Sequence, residues 1–271
     1  MKKLLSIFLI STMSGIIAAP TRSMLGIDRT EGANDDFPEN PTAADYIQDG
    51  LVAMWDGIEN VGWGEHDDES TVWKDLIGGN DATLTDNGLF GDDALICMRA
   101  PTVQNTYAAY AEGEPYPLGK TYVECVFQYD GGSLSRSLLF ALRGFANNNN
   151  SNIRCVGFQN LQFSWGCAAS GRMRGFSGVL PGMRYSVSGN LVNSALPAEL
   201  SINGNGEVAD LGGKLWLYVP LNFTTFGGGN LNNSNTSFVG SLNCIRIYSR
   251  ILTPAEVLYN YRIDKIRFNL P

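Results

Sequence analysis

The chemistry-bearing residues of this sequence gather in one short stretch. Gly64-Glu-His-Asp-Asp-Glu69 holds the single histidine, His66, among four carboxylates. Three of these, Asp67, Asp68 and Glu69, are hard oxygen donors of the kind Ca2+ prefers, so a Ca2+ site is one expectation here. Their spacing is not that of an EF-hand loop, and an exposed, solvated loop is the plain alternative. Immediately before them, Val61-Gly-Trp-Gly64 sets a tryptophan in loop surroundings. A sugar ring stacks its apolar face on such an indole while amides and carboxylates read its hydroxyls. Trp63 and His66 are therefore candidates for sugar contact. Asn148 and Asn149, within Asn147–Asn150, and Asn232 and Asn233 offer amide groups in two further loops; solvated turns are the alternative there. Trp55, Trp73 and Trp216 sit inside apolar runs and read as core.

Catalytic constellations are harder to find. A retaining glycosidase needs two carboxylates close together, one as nucleophile and one as acid and base. No strand-like segment carries such a pair at alternate positions. Glu124 stands alone in its segment and Asp92-Asp93 lies in a turn-like stretch, so both read as surface carboxylates. One histidine leaves little for a Ser-His-Asp triad or a histidine-rich metal site. Gly227-Gly228-Gly229 lacks the Lys and Ser/Thr of a phosphate loop. The five cysteines (Cys97, Cys125, Cys155, Cys167 and Cys244) form no C-x-x-C pair and mostly sit among apolar neighbours, as small hydrophobes do. Cys155 and Cys167 flank a hairpin turn near Asn160, and a bridge between them is left open.

These residues need a scaffold, and composition points to an all-β one. The 271 residues include 31 Gly and 24 Asn, residues that collect in turns, and 44% hydrophobic residues, enough to fill a core. Thr121 to Tyr129 alternates most clearly, with Val123, Cys125, Phe127 and Tyr129 on the face expected to meet the core. Further strands are expected at Gly50–Trp55, Ala94–Met98, Ser137–Arg143, Asn152–Phe158, Leu161–Cys167, Tyr185–Ser188, Glu199–Ile202, Leu215–Val219 and Ser241–Tyr248. Gly- and Asn-rich turns separate them, a pattern of two-sheet sandwiches. One helix is expected. Thr253-Pro-Ala-Glu256 is a capping box with Pro at the first helical position, followed by an apolar stripe at Val257, Leu258 and Tyr261. Asp264 to Phe268 is expected to return as an extended segment.

Charge excludes one class of partner. The net charge is −8, and 13 of the 27 acidic residues fall between Asp28 and Glu69 with a single basic residue, Arg29. Nucleic-acid binding needs a basic patch that displaces counterions, and none is present. At the N-terminus, Met1-Lys-Lys, an apolar run from Leu4 to Ile17 and the small pair Ala18-Ala19 have the layout of a secretory signal peptide. The run is shorter than the ~20 residues a membrane span needs, so no transmembrane anchor is expected. Pro20 is unfavourable at a cleavage point, and a start at Met24 is the alternative. The expected organisation is a signal peptide over 1–19, an acidic arm over 20–45 and one domain over 46–268.

The ends of that domain resemble a known family. Ser237-Phe-Val-Gly-Ser-Leu-Asn-Cys-Ile-Arg-Ile-Tyr-Ser-Arg-Ile-Leu-Thr-Pro-Ala-Glu256 is similar to the closing signature of concanavalin A-like, laminin G-like domains. Gly50-Leu-Val-Ala-Met-Trp-Asp-Gly57 and Thr71-Val-Trp-Lys-Asp-Leu-Ile-Gly-Gly79 resemble their opening segment, especially in versions from gut bacteria and their phages. The resemblance implies an all-β, concanavalin A-like jelly-roll β-sandwich of two antiparallel sheets with a short C-terminal helix. It also implies that the first and last strands lie close, bringing the acidic beginning near Arg246, Arg250, Arg262, Lys265 and Arg267. Fold does not determine function. The expectation is a non-catalytic, lectin-like module that binds a glycan or cell-surface polysaccharide and is secreted or displayed at the cell surface. The alternatives are a structural or adhesion protein, joined to other subunits of a surface or virion assembly, and a glycoside hydrolase.

Overall fold

The structure is a computed structural model, which describes residues 37–84, 89–97, 106–109, 121–130, 136–144, 153–159, 162–167, 172–176, 179–191, 198–202, 205–209, 221–226 and 239–271. Pro38–Pro271 forms one compact unit. It opens with a one-turn 3-10 helix, Ala43–Asp45, capped by Thr42. The strands are β1 (Leu51–Asp56), β2 (Val72–Trp73), β3 (Ala82–Thr83), β4 (Leu89–Gly91), β5 (Ala94–Cys97), β6 (Thr106–Ala109), β7 (Thr121–Tyr129) and β8 (Arg136–Gly144). They continue as β9 (Ile153–Gln159), β10 (Gln162–Cys167), β11 (Arg172–Phe176), β12 (Arg184–Leu191), β13 (Ala198–Ile202), β14 (Asn205–Ala209), β15 (Leu221–Phe226) and β16 (Gly240–Tyr248). Helix α1 (Pro254–Arg267) follows.

Among the described residues two eight-stranded antiparallel sheets result. The first runs β14-β13-β12-β7-β16-β5-β4, with β1 also paired to β16; the second runs β11-β10-β9-β8-β15-β6-β3-β2. The first and last strands are thus neighbours, as the resemblance implied. Residues directly opposite each other share a face. Phe90, Leu95, Leu242, Phe127 and Tyr185 make one such row across the first sheet, and all are buried. Trp73 of the second sheet meets Phe90 edge-on at 5.9 Å between ring centroids, so the sheets pack face to face there. Trp55 and Trp73 are core residues, and their indole N–H groups donate to Asn80 O and Asp56 O.

A β-bulge decides what the central strand presents. In plain alternation Leu242 and Cys244 would share a face. The register shift between them makes Asn243 the extra residue, which sends Leu242 inward and Cys244, Arg246 and Tyr248 outward. The outer face is then covered by α1, and this alters the expectation for β7. Val123, Cys125 and Phe127 meet the core as expected, but Tyr122, Glu124 and Val126 on the other face are buried as well.

The helix begins where the capping box places it: Thr253 accepts the Glu256 amide, and Glu256 accepts the Thr253 amide. It runs on to Arg267, so Asp264 to Phe268 is not an extended return. Its buried stripe is Val257, Asn260, Ile263 and Asp264, with Leu258 and Tyr261 only half-buried. Where an apolar stripe was expected, the helix also brings an amide and a carboxylate down onto the sheet.

Leu215–Val219, Trp216 and the loops at Asn147–Asn150 and Asn232–Asn235 lie outside the described residues, as do residues 1–36. In the β9–β10 hairpin Cys155 stands opposite Gly166 and Cys167 opposite Arg154, so the two cysteines are not direct partners in register. No helix among the described residues is long and apolar enough to cross a membrane.

Candidate functional site

Between β1 and β2 the chain makes a loop, residues 57–71, that carries Trp63, His66 and the acidic run. Its inner wall is unusually polar for buried structure. Asp56 Oδ1 accepts the amides of Ile58 and Glu59, turning the chain out of the strand. Asn60, fully buried, clasps Asp67 from both sides: its Oδ1 accepts the Asp67 amide and its Nδ2 donates to the Asp67 carbonyl, each at 2.8 Å. The Lys74 amide donates to Asn60 O, tying the loop to β2. The loop is therefore held by specific hydrogen bonds, a preorganised arrangement that loses little entropy on binding.

At its tip Gly62-Trp-Gly-Glu65 closes a tight turn, with the Glu65 amide donating to Gly62 O at 3.0 Å. Gly64 has φ +71°, while Trp63 has no positive φ. That combination is a type II turn, which needs glycine at its third position. Trp63 occupies the outer corner and is 47% exposed. Trp55 and Trp73, by contrast, are fully buried. The exposed indole thus stands on a turn braced from beneath by Glu59 and Asn60.

The rest of the run is placed around this corner. His66 Nδ1 lies 3.0 Å from Ile58 O and its Nε2 2.6 Å from Asp68 Oδ1, so both ring nitrogens face acceptors. Asp67 Oδ1 accepts the Glu69 amide. Glu65, Asp67, Asp68 and Glu69 are all exposed. Among the described residues no group of three or more His, Cys, Asp or Glu side chains is placed to hold a metal ion. The structure brings Trp63 and His66 into one loop; Asn148, Asn149, Asn232 and Asn233 lie outside the described residues.

Glu124 is not a surface carboxylate. It is 2% exposed, and its Oε2 accepts from Arg246 Nε and Asn260 Nδ2, each at 2.8 Å. Arg246 meets Asp264 with both terminal nitrogens, at 2.7 and 2.8 Å. Its guanidinium lies 3.8 Å over the Tyr46 ring, and the Tyr46 hydroxyl donates to Asp264. Burial opposes the charge on Arg246, but Asp264 and Glu124 outweigh it and hold the group well above its ordinary pKa. Burial raises the Glu124 carboxyl against the pull of Arg246. Both are raised, which favours charge on Arg246 and opposes it on Glu124, and the geometry gives Arg246 the bidentate Asp264 as its main counterion. Asp93 is likewise engaged, by Arg184, while Asp92 is exposed.

A second buried cation, Arg267, reaches the loop. It binds Asp56 with both terminal nitrogens and donates to Glu59 Oε1 at 3.0 Å. The resemblance placed the acidic beginning beside the basic end, where exposed pairs would be weak. The proximity holds, but the Arg267, Asp56 and Glu59 side chains are at most 8% exposed. Glu59 and Asn60 had no signal in the sequence that set them apart from the acidic surface around them.

No family model matches the chain, and no curated protein does. Solved structures do. A sialidase of Trypanosoma rangeli in complex with sialic acid matches with a TM-score of 0.59 and 14% identity, over 84% of this chain and 34% of the sialidase. The botulinum neurotoxin type G receptor binding domain matches with a TM-score of 0.53 and 14% identity, over 80% of this chain and 51% of that one. The chain thus spans about a third of the sialidase and half of the toxin domain. At such identity the likeness is one of fold.

Proposed function

We propose that this protein is a non-catalytic carbohydrate-binding module built on a concanavalin A-like, laminin G-like jelly roll, and that the Trp63 turn is its sugar platform. The observation that carries this reading is the 47% exposed indole at the corner of a braced type II turn. A structural neighbour that holds sialic acid fits a glycan ligand in kind. The ligand proposed here differs in charge. Glu65, Asp67, Asp68 and Glu69 are exposed around the turn and repel a carboxylate-bearing sugar, so a neutral glycan or surface polysaccharide is favoured. The non-catalytic reading is supported by Glu124, whose burial and pairing with Arg246 remove it from contact with any substrate.

The test is a glycan-array screen of residues 24–271, with Ca2+ and again with EDTA. A neutral hit that is lost in Trp63→Ala supports the reading. Loss of the hit on chelation would place a cation in the loop. Binding confined to sialylated glycans, or a hit that survives Trp63→Ala, would overturn it.

A further inference from the structure

The peptide bond between Trp63 and Gly64 has its orientation set from inside the protein. Glu59 is 6% exposed, and its two oxygens have different duties. Oε1 accepts from the Ala43 amide at 2.8 Å and from Arg267 Nη2 at 3.0 Å. Oε2 accepts from the Gly64 amide at 2.9 Å. That amide is not the one that closes the turn, which is the amide of Glu65. It belongs to the central peptide, the unit whose half-rotation interconverts type I and type II turns. No peptide bond described is cis, so the carbonyl of Trp63 points opposite to the Gly64 N–H. With the N–H aimed at buried Glu59, the carbonyl points away from it, on the residue that carries the exposed indole.

We propose that the Trp63 carbonyl, turned outward by Glu59, is the hydrogen-bond acceptor that reads a hydroxyl of the sugar stacked on the Trp63 ring, and that Glu59 is its positioning residue. This rests on the Trp63 turn being the sugar platform. Stacking alone gives little selectivity, because many sugars offer an apolar face; a fixed acceptor beside the ring supplies direction. Glu59 holds that acceptor without touching the ligand. Arg267 and Ala43 hold Glu59, so the acceptor is anchored to both ends of the domain.

Two variants flip the same peptide by different means. Glu59→Gln keeps one oxygen for Ala43 and Arg267 but turns an amide N–H toward Gly64, which favours the flipped peptide with its carbonyl inward. Gly64→Ala penalises the positive φ that the type II turn requires, and an added Cβ would meet nothing within 4 Å, so no contact is disturbed. The ligand-independent readout is hydrogen exchange of the residue-64 amide by NMR. The binding readout is calorimetric titration with maltohexaose, cellohexaose, xylohexaose and mannohexaose. Slow exchange of the Gly64 amide in the wild type is expected, with fast exchange in both variants. The hexaose that binds the wild type should bind both variants at least ~10-fold more weakly, the size of one lost ligand hydrogen bond. Trp63→Ala should bind none. Lost amide protection with unchanged affinity would overturn the role of the carbonyl while leaving the glycan reading in place. Binding by no hexaose would sink the glycan reading and this inference together. An unprotected Gly64 amide in the wild type would sink the inference alone.

Discussion

Trp63 owes its position to its neighbours. Gly64 supplies the positive φ, Gly62 accepts the turn bond, and Asn60 and Glu59 pin the loop from beneath. Trp63→Ala therefore removes the platform and little else. A half-exposed ring contributes about 1 kcal/mol by burial, so the melting temperature should fall by no more than about 3 °C while glycan binding is lost. Calorimetric melting beside the array screen checks both. Asn60 is the opposite case. It is fully buried and bonds Asp67 on both sides, so Asn60→Ala leaves two backbone groups without their partner. A cost of about 2 to 4 kcal/mol is expected in urea unfolding, with binding weakened because the loop is released. Unchanged stability in Asn60→Ala would mean that the loop is not braced as described.

At the scale of elements, α1 is both a cover and a brace. Its start is fixed locally. Thr253 and Glu256 satisfy each other's amides, and Thr253→Ala should cost about 1 kcal/mol. The Glu256 carboxyl is lowered to about 2, first by its hydrogen bonds from Arg250 and then, against partial burial, by the Thr253 amide and hydroxyl. The folded value lies below the unfolded one of about 4.3, so this contribution is present above that unfolded value. It is lost as the pH falls from there toward the folded value. Both side chains are partly exposed, which keeps the effect within about 1 kcal/mol. Between about pH 5 and about pH 2.5 the wild type should therefore lose more urea stability than Arg250→Ala does; equal losses would show that the Arg250 contact does not lower Glu256.

At the scale of the whole molecule, the buried ions join strands and helix that are far apart in the chain. Arg246 on β16 links Glu124 on β7 to Asp264 on α1, and Ser186 on β12 donates to the same Asp264. Replacing one member of such a network strands the others without solvent. Arg246→Met should cost about 3 to 5 kcal/mol, read from the urea midpoint. Making Glu124 and Asp264 apolar as well should recover part of that loss, because no charge is then left unpaired. A single Arg246→Met change that is neutral would contradict the network.

The local sequence by itself determined the strand at Thr121–Tyr129, the capped start of α1 and the loop character of Gly62-Trp-Gly64. Each depends on neighbours a few residues away: side-chain alternation, a capping box, a glycine free to take positive φ. The proximity of the acidic beginning to the basic end was legible as well, through the resemblance of the two ends. Only the tertiary structure decided that Glu124 is buried, that β7 is covered on both faces and that α1 runs through Asp264 to Arg267. Those outcomes depend on what lies opposite. A bulge at Asn243 resets which side chains of β16 face outward, and α1 then lays Asn260 and Asp264 over them. Nor could Glu59 be told apart in the sequence from exposed carboxylates such as Glu65 and Glu69, because its partners Ala43, Gly64 and Arg267 are drawn from three separate segments. Charge patterning along a chain records how much acid there is; folding alone selects which carboxylate meets a buried cation and orients the turn that carries Trp63.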